Sequence, residues 1–167
     1  WRGSGAMPGW NESGTAPRKS SDISSAVICC GHWGARQLPR LSRLFQPKSI
    51  VVFGGGWAEN VIAQCNKMGF AGDIWPVNPR RKTIAGVHCF ASITALSGVP
   101  DAAVLGINRD AVIDVTRQLV AIGCGGAVCF ASGFAETGQL DRQQQLVAAA
   151  GDMPLLGPNC YGFINYL

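Results

Sequence analysis

Short apolar runs recur along this chain at 49–53, 73–77, 102–106, 126–131 and 154–156, and the stretches between them carry helical periodicity. That alternation constrains the fold more than any other feature. Ser49-Ile50-Val51-Val52-Phe53 has almost no polar face, as expected of a strand covered on both sides. The stretch 59–68 places Val61, Ile62, Cys65 and Met68 on one side and stops at Gly69. The stretch 109–122 does the same with Val112, Val115, Leu119 and Ile122, and stops at Gly123. A further helix is expected near 140–150, and a short segment at 87–90 leads to a brief helical turn at 93–96. Strands separated by helices pair in parallel through right-handed crossovers. The expected fold is therefore α/β: a Rossmann-like, doubly wound parallel five-stranded sheet with helices on both faces.

Residues 37–167 form this one expected domain. It opens on a short apolar stripe, Leu41, Leu44 and Phe45, ended by Pro47. Residues 1–36 are rich in Gly, Ser, Trp and Pro without a sustained period, and the chain opens on Trp rather than Met. They read as a disordered or non-native extension of a fragment, with a transit peptide as the lesser alternative.

Charge argues against nucleic acid once it is located. The net +4 comes from six basic and two acidic residues before position 48. Eight basic and eight acidic residues follow and cancel. A neutral domain lacks the phosphate-neutralising surface that duplex binding requires. No apolar run approaches the roughly 18 residues of a membrane span, so a soluble protein is expected. Seven cysteines (29, 30, 65, 89, 124, 129 and 160) without a CxxC pair suit reduced, mostly buried thiols of a cytoplasmic protein. His32 and His88 are the only histidines and neither stands at ligand spacing to a cysteine pair, so no metal is assigned.

In a sheet of this kind ligands bind beyond the carboxyl ends of the strands. The first such end, Gly54-Gly55-Gly56-Trp57, resembles the opening of a nucleotide-binding βαβ unit, but Glu59 stands where the dinucleotide fingerprint has its third glycine. The second end, Asn78-Pro79-Arg80-Arg81-Lys82, falls where an NAD-binding unit carries an Asp or Glu for the ribose hydroxyls. Three cations in that place suit a ribose bearing its own phosphate, as in coenzyme A or NADP. The remaining ends are Ile107-Asn108-Arg109, Ala131-Ser132-Gly133-Phe134 and Gly157-Pro158-Asn159-Cys160. Each of these loops has a plain reading as a turn, and the cations as a solvated face; their convergence at one edge favours a site.

Taken in order, the motifs Leu41-x-x-Leu44-Phe45-x-Pro47-x-Ser49-Ile50, Gly54–Gly56, Pro76-Val77-Asn78-Pro79, Gly133-Phe134-x-Glu136 and Gly157-Pro158-Asn159-Cys160-x-Gly162 resemble a known family. It is the CoA-binding domain of NDP-forming acyl-CoA synthetases, the group of the succinyl-CoA ligase alpha subunit and ADP-forming acetyl-CoA synthetase. The resemblance covers 38–167. It implies that Gly54, Gly55, Gly56 and Trp57 hold the CoA phosphates, although this loop is shorter than the usual family loop. It also implies that Asn78, Pro79, Arg80 and Arg81 take the 3′-phosphate side of the adenosine, Arg81 foremost. Ile107, Asn108, Ala131 and Ser132 would line the pantetheine arm, and Asn159 with its neighbours would lie toward the thiol. The family joins an acid to CoA through an acyl phosphate and a phosphohistidine carried in a later domain, so the chain alone is expected to bind CoA without turnover, and no catalytic residue is assigned. Further ligase domains or a subunit of the parent protein are the expected partners. Three alternatives stay open: a regulatory CoA-binding domain of a protein-lysine acetyltransferase, a stand-alone CoA-binding protein, and an NADP-binding domain.

Overall fold

The computed structural model describes residues 38–160. The expectations for residues 1–36, for Cys29, Cys30 and His32, and for Tyr161 and Gly162 lie outside the described residues.

The elements follow the order α1 (Leu38–Phe45), β1 (Ser49–Phe53), α2 (Gly56–Lys67), β2 (Asp73–Val77), β3 (Thr83–Ile84), β4 (Val87–His88), β5 (Ala102–Leu105), α3 (Arg109–Ala121), β6 (Ala127–Cys129), α4 (Leu140–Ala150) and β7 (Leu155–Leu156). Single 3-10 turns stand at Ile93–Ala95 and Ala135–Thr137. Five strands form one sheet in the order β2-β1-β5-β6-β7, every pairing parallel. The chain leaves β1 for one edge through β2 and returns to β5 on the other side, so the order reverses between β1 and β5. That reversal opens a crevice at the carboxyl ends of the two strands.

Alternation along the strands assigns the two faces. Val51, Phe53, Ala103, Leu105, Ala127, Cys129 and Leu155 pack with Val112 and Leu119 of α3 and Leu146 and Ala150 of α4. Val52 packs on the opposite face with Ala58 and Ile62 of α2. Ala102, Val128 and Leu156 receive Leu44 of α1 on that same side, with Ile50 packed against both groups. The sheet is thus covered on both faces, as its apolar runs require.

The structure corrects several boundaries. The helix expected from residue 59 begins at Gly56, directly after its N-cap Gly55, so the first strand and helix are joined by two glycines. Glycine is a weak helix former, and propensity therefore delays the start that the backbone makes. The strands expected at 102–106, 126–131 and 154–156 each lose terminal residues to the turns that follow or precede them. A two-stranded antiparallel hairpin, β3 with β4, stands inside a region read only as one short segment. Its turn residues Ala85 and Gly86 both have positive φ, 48° and 79°. That is the backbone a two-residue hairpin needs, reached here without the Asn-Gly or Gly-Gly pair that announces it.

Candidate functional site

Two glycines bring the ends of β1 and β5 together. Gly54 has φ 131°, and a Cβ there would lie 2.5 Å from the carbonyl oxygen of Gly106. A Cβ on Gly106 would in turn lie 2.8 Å from the Cβ of Trp57. Only bare backbone fits at this contact. Gly55 and Gly56 differ: a Cβ on either meets nothing within 4 Å. The fold has room for side chains at both positions, yet the surface at the start of α2 is left as bare backbone. The first N–H groups of a helix have no partner within it and carry its positive dipole end, a setting that suits phosphate.

Asn78 ties this loop to the cation segment. Its Nδ2 donates to the Gly54 carbonyl at 3.3 Å, and its Oδ1 accepts from the Arg80 N–H at 2.9 Å. Both ends of the amide are therefore engaged within the protein, and Asn78 acts as a brace between two loops. Pro79, Arg80, Arg81 and Lys82 are exposed. Arg81 Nη1 donates to Glu59 Oε1, so the residue that breaks the glycine fingerprint pairs with the foremost candidate cation.

Between the ends of β1, β5 and β6 lies an open cleft of about 660 Å³. Trp57, Ile107, Asn108, Ala131 and Ser132 line it, five of the sequence-assigned residues. The indole of Trp57 stacks on Phe130 with ring centres 5.1 Å apart and planes 20° apart, and stays half exposed. The pair makes an aromatic wall on the α2 side. Asn108 caps α3, its Oδ1 accepting from the N–H groups of Asp110 and Ala111 at 3.1 and 3.0 Å. Ser132 is exposed.

The cleft also contains residues that the sequence reading left unassigned: Gly106, Arg109, Phe130, Gly133, Glu136 and Thr137. Gly133, with φ 94°, presents its N–H to Glu136 Oε1 at 2.5 Å, and Glu136 Oε2 accepts from Phe134 N–H at 3.2 Å. Arg109 packs against Gly133, its Nη1 donating to the Gly133 carbonyl at 3.5 Å. Burial pushes the Glu136 carboxyl up, but the backbone N–H groups of Gly133, Glu136 and Phe134 outweigh it and leave the group below the ordinary glutamate range. Gly133 and Glu136 were visible as a motif, but the chemistry that joins them was not.

Asn159, assigned toward the thiol end, does not line the cleft but adjoins it. Its N–H donates to the Ala131 carbonyl at 2.8 Å, and the Cys160 N–H donates to Cys129 at 3.2 Å. Asn159 sits at φ 56° and Gly157 at φ 112°, where a Cβ would lie 2.4 Å from the Cys129 carbonyl. The assigned residues thus gather at one edge as a brace at Asn78, a cleft from Trp57 to Ser132, and a turn at Asn159. Burial pushes the Cys124 and Cys129 thiols up to about 11, which makes them inert packing groups. Among the described residues no three His, Cys, Asp or Glu side chains cluster as a metal site, and no helix is long and apolar enough to cross a membrane.

A protein-family model described as a CoA binding domain matches residues 47–166. The chain is 37% identical over 137 residues to a trans-feruloyl-CoA synthase of an unknown prokaryotic organism, covering 77% of this chain and 19% of that protein. It is 31% identical over 137 residues to the ADP-forming acetate–CoA ligase II of Archaeoglobus fulgidus, covering 77% and 20%. It therefore spans about a fifth of the length of these curated relatives. Among solved structures, the apo form of the dinucleotide forming acetyl-coenzyme A synthetase 1 of Ca. Korarchaeum cryptofilum matches with a TM-score of 0.68 at 30% identity, covering 73% of this chain and 28% of that one. The family match runs through every strand of the sheet and the turn beyond the last, so the chain belongs to the CoA binding domain family and is homologous to the NDP-forming acyl-CoA synthetases.

Proposed function

We propose that this chain holds coenzyme A along the carboxyl edge of its sheet, as the CoA-binding part of an acid–thiol ligase that uses a nucleoside triphosphate. The observation that carries the proposal is the bare pair Gly55 and Gly56 at the start of α2, opening beside the cleft. The N–H groups at this helix start take the diphosphate. Asn78 and Pro79 fix the approach of the next loop, whose Arg80 and Arg81 take the 3′-phosphate. The pantetheine arm then crosses the cleft over Ile107, Asn108, Ala131 and Ser132, with its methyl groups against Trp57 and Phe130. The thiol emerges toward Asn159.

In this arrangement the chain binds and orients its ligand, while acid activation falls to further domains or a subunit of the parent protein. The greater length of the relatives supports that division. The five cysteines among the described residues are free thiols, which suits the reducing cytoplasm proposed for the protein.

Calorimetric titration with CoA, dephospho-CoA and NADP tests the reading. CoA binds, dephospho-CoA binds about tenfold more weakly, and NADP binds more weakly than CoA. NADP binding more tightly than CoA overturns the ligand assignment. Equal binding of CoA and dephospho-CoA removes the 3′-phosphate role from the cation loop.

A further inference from the structure

We infer that Glu59 sets how strongly the chain prefers a ligand bearing a ribose phosphate, by competing with that phosphate for Arg81. The inference rests on the CoA reading above. Glu59 stands in the first turn of α2, one turn from the bare glycines, and its carboxylate holds the Arg81 guanidinium. Arg81 comes from the loop after β2, beside the Asn78 brace that binds the Gly54 carbonyl. One carboxylate thus occupies a cation that a phosphate would use, at a helix end that itself favours an anion.

Both side chains are about half exposed, at 46% for Arg81 and 47% for Glu59. An exposed pair of this kind is weakly bound and exchanges partners readily. A 3′-phosphate carries more charge than a carboxylate and outcompetes it, but the exchange lowers the net gain. A ligand with a free ribose hydroxyl meets no such competition. Glu59 therefore narrows the margin between phosphorylated and unphosphorylated ligands, and its loss widens that margin. Arg80 and Lys82, both exposed in the same loop, supply attraction that does not pass through Glu59.

The test is a calorimetric titration of the full chain and its Glu59→Gln, Arg81→Gln and doubly substituted variants, each with CoA and with dephospho-CoA. Glu59→Gln tightens CoA about fivefold and leaves dephospho-CoA within about twofold, the range an exposed ion pair commands. Arg81→Gln weakens CoA about tenfold, and adding Glu59→Gln to it moves CoA by less than about twofold. Weaker CoA binding by Glu59→Gln, an equal change for both ligands, or a gain that survives without Arg81 each overturns the inference while leaving the CoA reading intact. Absence of CoA binding by the unsubstituted chain overturns both.

Discussion

The two ends of the parallel sheet use glycine and charge in opposite ways. At the amino edge, Arg43 of α1 spends its guanidinium inside the protein. It donates to Asp101 at 2.8 Å and to the carbonyls of Gly123 and Pro100 at 3.0 and 3.1 Å. Asp101 also accepts from the Lys48 N–H at 2.9 Å. Glycines there are forced by packing: a Cβ on Gly125 would lie 2.4 Å from the Asp101 carbonyl, and one on Gly72 2.2 Å from that of Lys48. A cavity of about 360 Å³ does exist beside Arg43, but the cation lining it is already satisfied. At the carboxyl edge Gly54, Gly106 and Gly157 are packed in the same manner, whereas Gly55 and Gly56 touch nothing. Arg80 and Lys82 are exposed there. One edge closes on itself and the other closes only enough to leave a surface.

The contrast implies that stability and ligand affinity are separable, edge by edge. The largest effect is expected at the amino edge. Asp101→Ala strips Arg43 and the Lys48 N–H of their acceptor and lowers stability by about 2–3 kcal/mol in urea unfolding, while CoA affinity stays within about twofold. A large loss of affinity in a chain that remains folded would break the division. Next is Gly56→Ala at the carboxyl edge. Alanine is the better helix former, so stability holds or rises by up to about 1 kcal/mol, while the added methyl group weakens CoA about tenfold. Unchanged affinity would return this loop to the status of a plain turn.

The smallest effect is in the pH dependence, where the two edges behave alike. Burial pushes the Asp101 carboxyl up, but the hydrogen bond from Arg43 and the N–H of Lys48 outweigh it and hold it below the usual carboxylate range. Glu136 at the other edge is also held low. A carboxylate with a lowered folded pKa adds stability that is fully present above its unfolded value, about 4, and is lost as pH falls through the folded value. Thermal stability should therefore fall below about pH 4, and Asp101→Asn should flatten that slope more than Glu136→Gln, because Asp101 is the less exposed. An acid slope untouched by Asp101→Asn would place the amino-edge energy elsewhere.

Much of this was legible in the residues. The strands at 49–53 and 73–77 and the helix at 140–150 stand where periodicity puts them, because long apolar patterns report burial directly. The hairpin was hidden, since Ala85 at positive φ is a conformation that tertiary context imposes and propensity does not announce. At the carboxyl edge, strand ends identified the loops but not the partners within them. Asn78 read as a ligand contact, and its side chain also braces two loops. Glu59 read as a flaw in a fingerprint and proves to be the partner of Arg81. Phe130 read as strand and proves to be half of an aromatic wall. Each of these depends on pairs distant in sequence, which spacing along one chain cannot supply.

The central claim, that the carboxyl edge is the binding surface and the amino edge is not, is tested most directly by amide chemical-shift mapping during titration of CoA into the full chain. The account predicts shifts concentrated at 54–59, 78–82, 106–109 and 130–137, with the amides of Lys48, Ser49, Asp101 and Gly125 unmoved. Shifts centred on those amino-edge amides, with the glycine loop silent, would contradict it.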